Sequence, residues 1–345
     1  MKGSTIALDT YKGRMAAAQI TDGKLTDLLI EAPEGVVQPG AIFRAICDRP
    51  LKGQGGMMLR LPAGQSGFLR QGKGLKPGER ILVQVTGFGE DGKAVPVTQK
   101  VLFKSRYAIV TPGAPGINVS RAIRDDEARV RLLEIAHEVM GDAEEGLIIR
   151  SVAEKGSDDD VAADIAAMLD LSRAVLADQD GDAELLVDGP DPHELAWRDW
   201  PEPDQLDASD RAFDRHNVHE MIDAAQGPFV RLSGGASMFV EPTRALVAVD
   251  VNTGGDTSPA AGLKANIAAA RALPAALRCR GLGGQIVVDF APCPKKDRRQ
   301  LEQVLRAALK AEGIETAMVG WTQLGLFELQ RKRERLPLSR CMENR

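Results

Sequence analysis

Two short stretches carry carboxylates where chemistry can use them. In "ALVAVDVNTGGD", residues 245–256, an apolar run rich in β-branched residues brings Asp250 to its end and then breaks into Asn252 and a Gly pair. In "QIVVDFAP", residues 285–292, a second apolar run delivers Asp289 in the same way. Either aspartate alone could simply hydrogen-bond the turn that follows it. The stretch between them, "LKANIAAARALPAALRCRGLGG", reads as one helix, bent or ended near Pro274 and stopped by Gly281. A strand, a crossover helix and a second strand make parallel neighbours, which sets both carboxylates at one edge of a sheet. Two carboxylates a few ångströms apart repel unless a cation joins them. Hard oxygen ligands of this number suit Mg²⁺, with Mn²⁺ as the alternative.

Other residues point to an anionic partner. A short apolar strand, Leu147–Ile149, ends in Arg150 and Ser151, a guanidinium and a hydroxyl that together can grip a phosphate; the plainer reading is a surface ion pair. Phe68, in "GFL", is the best candidate for stacking a base, and Lys93 for pairing with a phosphate; the plainer reading of Phe68 is a core aromatic.

The elements that must position these residues differ along the chain. Residues 4–31 read as two or three strands, turned at Tyr11–Gly13 and Asp22–Gly23. Residues 40–104 hold short strands between glycine turns, the pattern of a small closed barrel. Residues 124–140 form an amphipathic helix, and Ser157 caps a second helix with acids in its first turn. Residues 177–210 read as one strand plus irregular linker, and 211–226 as helical. From 229 onward strands alternate with helices, and "LGLFELQRKRERL" is expected to close the region as a basic helix.

Composition narrows the classes. The 345 residues are 43% hydrophobic and carry a net charge of −5, enough length and apolar content for two or three domains. No apolar run approaches the roughly 18 residues of a membrane span, and the N-terminus lacks the pattern of a signal peptide. The four cysteines form no CxxC pair, which fits free thiols in a cytoplasmic setting and gives no expectation of zinc. Charge is unevenly distributed. Residues 1–120 hold 16 Lys/Arg against 9 Asp/Glu, residues 121–224 hold 10 against 29, and residues 225–345 hold 18 against 11. Basic modules flanking an acidic one are either solvated faces or surfaces that meet a polyanion, in the second case through stretches that include Lys295, Lys296, Arg298, Arg299 and Arg331–Arg335.

Several motifs, in order, resemble the ribonuclease E/G family: "YAIVTPGAPGINVSRAI", "GLIIRSVAE", "VAVDVNTG", "KANIAAARALPAALRCRGLGGQIVVDF" and "GWTQLGLFELQRKR", leaning toward ribonuclease G in "DVNTG". The resemblance implies an α+β multidomain chain: an RNase H-like part (1–37) interrupted by an OB-fold RNA-binding barrel (38–104) and a 5′-sensor region (105–168), a truncated RNase H-like remainder or linker (169–225), a DNase I-like α/β catalytic domain (226–338) and a tail (339–345). It implies an Mg²⁺-dependent endoribonuclease acting on single-stranded RNA, leaving a 5′-phosphate and a 3′-hydroxyl and stimulated by a 5′-monophosphate. Asp250 and Asp289 match the family's metal carboxylates, and Asn252 matches an amide that helps hold the scissile phosphate or attacking water. Arg150, Ser151 and Arg121 match the 5′-phosphate pocket. Phe68 and Lys93 match RNA contacts of the barrel, with Met58 where a second aromatic is expected. The chain departs from the family at the zinc-linking CxxC, near which only Cys341 stands, so an oligomer is compatible but not one sharing zinc. Pro292 stands where a further acid is common, Ala268 replaces an acid in the crossover helix, and 170–215 is short. These departures keep open an alternative, a catalytically weak or inactive RNA-binding protein of the same family.

Overall fold

The first strands follow from two tight turns. At Lys12–Gly13 and Asp22–Gly23 both central residues take positive φ, which matches the twist of the strands they join. β1 (Ser4–Tyr11), β2 (Arg14–Thr21) and β3 (Lys24–Ile30) therefore pair as an antiparallel meander. The structure is a computed structural model that describes residues 3–51, 53, 55–89 and 92–343. The chain divides into two compact units, one made of residues up to 34 together with those from 203 onward, the other of residues 35–202.

The second unit opens with a barrel. β4 (Ile42–Leu51), β5 (Gly56–Arg60), β6 (Ser66–Leu69), β7 (Arg80–Val85) and β8 (Val95–Thr98) pair in the circuit β4-β5-β6-β8-β7 and back to β4. Closure removes exposed strand edges, and Phe43, Met57, Leu59, Leu69, Val83 and Val97 fill the interior. β9 (Phe103–Lys104), β10 (Ala108–Thr111) and β11 (Gly116–Val119) lead to α1 (Asp126–Met140), β12 (Gly146–Ile149) and α2 (Asp158–Ala177). Their sheet has the order β11-β12-β10-β9, and both helices pack onto its core. Ser157 caps α2 as its sequence predicts, accepting from the Asp160 amide.

The stretch expected to be strand plus linker is more ordered than that. β13 (Glu184–Val187) adds to β4, and α3 (Pro192–Asp199) follows with a full capping box, Asp191 and Glu194, and proline at its start. Asp-Pro-x-Glu is the sequence signature of such a start, and it was hidden by the acidic, Pro-rich surroundings.

The first unit resumes with β14 (Gln205–Asp207), parallel to β1, then α4 (Ala212–Arg215) and α5 (Val218–Gln226). A six-stranded sheet comes next, built from β15 (Phe229–Arg231), β16 (Ser237–Pro242), β17 (Val247–Asn252), β18 (Gly284–Asp289), β19 (Thr316–Trp321) and β20 (Phe327–Arg331), in the order β15-β16-β17-β18-β20-β19. α6 (Ala261–Cys279) crosses between β17 and β18, and α7 (Arg298–Lys310) follows β18. Both cover one face of this sheet. α6 continues past Pro274, which is buried, so the helix does not end there.

The expected closing helix is instead the strand β20. Phe327, Leu329 and Arg331 alternate inward, a period of two that a helix cannot satisfy. This also corrects part of the expected polyanion surface. The buried Arg331 side chain pairs with the Glu312 carboxylate, which also takes Arg278 at 2.6 Å, and Arg335 pairs with Asp27 at 3.1 Å. These cations hold the fold together and are not free for a ligand.

Candidate active site and anion cluster

β17 extends three residues beyond the apolar run that ends at Val249, through Asn252. Asp250 stands directly opposite Asp289 on the parallel neighbour β18, at the strand spacing of about 4.8 Å. Paired residues of parallel strands share a face, and the period of two puts Asn252 on that face as well. Its Nδ2 donates to Asp250 Oδ2 at 2.7 Å. Asp250, Asn252 and Asp289 are exposed, while Val249, Val251 and Val288 turn into the core. The alternation that seats the valines thus also presents the acids, and a slip of one residue would bury both.

The loop after β18 is held by residues that sequence reasoning missed. Asn266, fully buried on α6, donates from Nδ2 to the Ala291 carbonyl at 2.8 Å and accepts from the Ala291 amide at 2.9 Å. That reciprocal clamp fixes the chain two residues beyond Asp289. Gly262 lets the start of α6 approach the same loop: a Cβ there would lie 2.0 Å from the Pro292 carbonyl oxygen. Between them Phe290 packs against Trp321 and Phe327, with centroids 5.8 and 6.2 Å away. The signal for Asn266 was a lone amide on the apolar stripe of an alanine-rich helix.

The acidic pair has no internal counter-charge. The Asp289 carboxylate makes no hydrogen bond or ion pair, and Asp250 has only the neutral Asn252 amide, among the described residues. No group of three His, Cys, Asp or Glu side chains converges to hold a metal among those residues. Two adjacent, exposed carboxylates without a cationic partner fit a hard divalent ion that keeps several waters. Cys293 is half-buried and a free thiol.

The second candidate site has the opposite character. β11 and β12 run parallel, with Val119 opposite Ile149, so Arg121 and the Arg150–Ser151 pair leave the sheet at the same edge; Arg121 and Ser151 are exposed. The Arg150 guanidinium is already engaged. Its Nη1 donates to the carbonyls of Ser105, Arg106 and Arg198 at 2.6, 3.1 and 2.9 Å, and its Nη2 to Asp199 Oδ1 at 2.8 Å. Asp199 also binds Lys104 at 2.6 Å and Arg198 at 2.9 Å. Burial alone would raise the Asp199 carboxyl, but the hydrogen bonds and charges of Arg198 and Lys104 outweigh it and hold it at about 2. Burial in turn lowers Lys104 and Arg150. Asp199, at the end of α3, was absent from the sequence expectations because its partners lie far off in the chain.

On the barrel, Phe68 is half-buried and stands outside the interior cluster. It pairs across the strands with Met58 and Pro96, so the two side chains expected to meet RNA are neighbours on the outer face. Lys93 is exposed.

Comparison with known proteins completes the picture. The model of the Ribonuclease E/G family matches residues 103–205 and 203–334. Ribonuclease G of Salmonella typhimurium (strain SL1344) is 29% identical over 304 residues, which is 76% of this chain and 61% of the relative. Ribonuclease G of Escherichia coli (strain K12) is 29% identical over 313 residues, 78% of this chain and 63% of the relative. Ribonuclease E of Synechocystis sp. (strain ATCC 27184 / PCC 6803 / Kazusa) is 28% identical over 301 residues, 75% of this chain and 44% of the relative. The chain thus spans less than two thirds of the length of each of these three relatives.

Proposed function

The chain belongs to the ribonuclease E/G family, and on that premise we infer that it is a divalent-metal-dependent endoribonuclease acting on single-stranded RNA. The observation that carries this reading is the register pair of Asp250 and Asp289, exposed on one sheet face and free of any counter-charge among the described residues. Asp250 and Asp289 would hold the ion, Mg²⁺ or Mn²⁺. When bound, it supplies positive charge against a phosphoryl oxygen and acidifies water at neutral pH. Asn252 fixes the Asp250 carboxylate through its amide N–H, which leaves its own carbonyl oxygen to orient water or a ribose hydroxyl. The Asn266 clamp and the aromatic packing of Phe290 keep Asp289 from swinging away, the kind of support a two-carboxylate site needs. The products would carry a 5′-phosphate and a 3′-hydroxyl.

The sheet bearing the acids is the counterpart of a DNase I-like catalytic domain, and the β14-β1-β2-β3 sheet that of an RNase H-like part. The barrel is an OB-type module on which Phe68 and Met58 stack bases, with Lys93 meeting the backbone. The β9–β12 sheet with α1 and α2 is the 5′-sensor, where Ser151 and Arg121 are free to meet a terminal phosphate and Arg150 must first be released from Asp199. Among the described residues no helix is long and apolar enough to cross a membrane.

A second reading has one observation in its favour. Pro292 supplies a carbonyl packed against Gly262 where a carboxylate would join the acidic pair, which fits a family member that binds RNA and cleaves it weakly. Incubating a short single-stranded RNA with the protein and Mg²⁺ decides between the two. The nuclease reading expects cleavage in the wild type and none in Asp250→Asn or Asp289→Asn. RNA bound but equally intact in all three overturns it.

A further inference from the structure

The register that aligns the acids continues across the sheet. Phe229 on β15 faces Phe239 on β16, Phe239 faces Asp250, and Asp250 faces Asp289. Four strands thus carry a straight row of two aromatic and two acidic side chains, all on the face that α6 and α7 leave uncovered. The two rings meet edge to face, with centroids 5.5 Å apart and planes at 69°. Phe229, 48% exposed, is the outer of the two. A second row runs beside the first: Arg231 faces Ser237, which faces Asn252. Arg231 is exposed, and its guanidinium has no hydrogen-bond or ion-pair partner among the described residues.

We propose that Phe229, Phe239 and Arg231 form a nucleotide subsite beside the acidic pair, taking one unpaired base of the substrate strand on the Phe229 ring and a neighbouring phosphate on Arg231. Phe229 lies two strands from Asp250, about 10 Å, roughly one to two nucleotides along an extended strand. Arg231 stands two residues beyond Phe229 on the same face, about 7 Å away along β15, the scale that separates a base from a phosphate along the chain. An aromatic ring with an unpaired cation alongside is the pairing that binds single strands irrespective of sequence, because every base offers a π-face and every linkage a charge. A protein partner would be served by the rings but gives no role to a lone guanidinium set beside an acidic pair. The subsite rests on the endoribonuclease reading, whose substrate it orders. It also gives the acids a direction: the strand would cross β15 and β16 toward the Asp250–Asp289 position, so the scissile phosphate follows the stacked base.

The test uses the full chain and a short single-stranded RNA carrying 2-aminopurine at each position in turn, with binding read by fluorescence and cleavage by gel. Wild type should quench the probe at one position adjoining the cut. Phe229→Ala should abolish that quench and raise KM about 5- to 30-fold with kcat nearly unchanged, and Phe229→Trp should restore both. Arg231→Ala should weaken binding without moving the quenched position and reduce the salt slope by about one charge. RNA cut normally, with no position quenched or with Phe229→Ala indistinguishable from wild type, overturns the subsite and leaves the nuclease reading standing. RNA bound and quenched in a Phe229-dependent way but never cut supports the subsite and overturns the nuclease reading. A change in sedimentation of the RNA-free protein on Phe229→Ala, with RNA binding untouched, assigns the face to a second copy and overturns the proposal.

Discussion

The acidic pair on β17 and β18 and the cationic cluster around Arg150 are both charge clusters at strand ends, but they differ in what surrounds them. Asp250 and Asp289 are like charges, exposed, with no cation among the described residues. Lys104, Arg150 and Arg198 are like charges too, yet Asp199 links all three. The first site has no counter-charge of its own among those residues, and at the second a single carboxylate occupies three cations without cancelling their charge. A cation would meet no internal rival at the first, whereas an anion must compete with Asp199 at the second.

Substitutions should break the two sites in opposite senses. The largest effect is expected at the acids. Asp289→Asn or Asp250→Asn should lower single-turnover cleavage by about 10³-fold, the several kcal/mol that a bound ion supplies. The melting temperature should hold or rise, because removing one carboxylate relieves repulsion; a large fall in melting temperature would show that the pair is structural instead.

Next in size is the support beneath Asp289. Asn266→Ala strands a buried donor and acceptor at Ala291 and should cost about 1–3 kcal/mol for each unsatisfied group, read by urea unfolding. Cleavage should fall further than stability alone accounts for. An unchanged unfolding midpoint would remove the clamp from the account.

At the cluster, Asp199→Asn should tighten binding of a 5′-monophosphorylated RNA relative to its 5′-hydroxyl form by about 3- to 10-fold, since it frees a cation to make a charge-assisted hydrogen bond. Removing an acid thus strengthens a site here, where at the acidic row it destroys one. Equal discrimination before and after the substitution would mean that Asp199 does not compete with phosphate.

The pH dependence sharpens the same contrast. Asp199 has a folded value of about 2, below its ordinary 3.8. Its stabilising contribution is therefore fully present above about pH 4 and is lost only as pH falls toward 2. Asp199→Asn should lower the melting temperature at neutral pH, flatten the acid limb of the thermal-melting profile in that window and converge with the wild type as pH falls toward 2, whereas a change centred near pH 6 would contradict the assignment. The smallest effect belongs to Lys93→Ala on the barrel, about twofold in RNA affinity with a salt slope lower by about one.

The acidic pair was legible in sequence because its logic is local: two apolar runs, a crossover helix between them and an Asp at each end. The barrel strands and the capping of α2 by Ser157 were legible for the same reason. What escaped depends on pairing between distant segments. Arg150 reads as either a phosphate grip or an ion pair, and its partner is not visible until α3 brings Asp199 to it from 49 residues away. The Phe229–Phe239–Asp250–Asp289 row exists only once the register of four strands is known. Basic residues misled where they are most concentrated: in "LQRKRERL" the charges suggested a solvated helix, while Arg331 fills a buried position whose counter-charge, Glu312, precedes it by a whole strand.

The central claim is that Asp250 and Asp289 together hold one divalent ion. Replacing it with Fe²⁺ and generating hydroxyl radicals with ascorbate and peroxide cuts backbone within reach of the bound iron. The account predicts cuts clustered near residues 250–253 and 289–292, competed away by Mg²⁺ and lost in both Asp250→Asn and Asp289→Asn. Cuts confined to other segments, or a pattern that survives both substitutions, would contradict it.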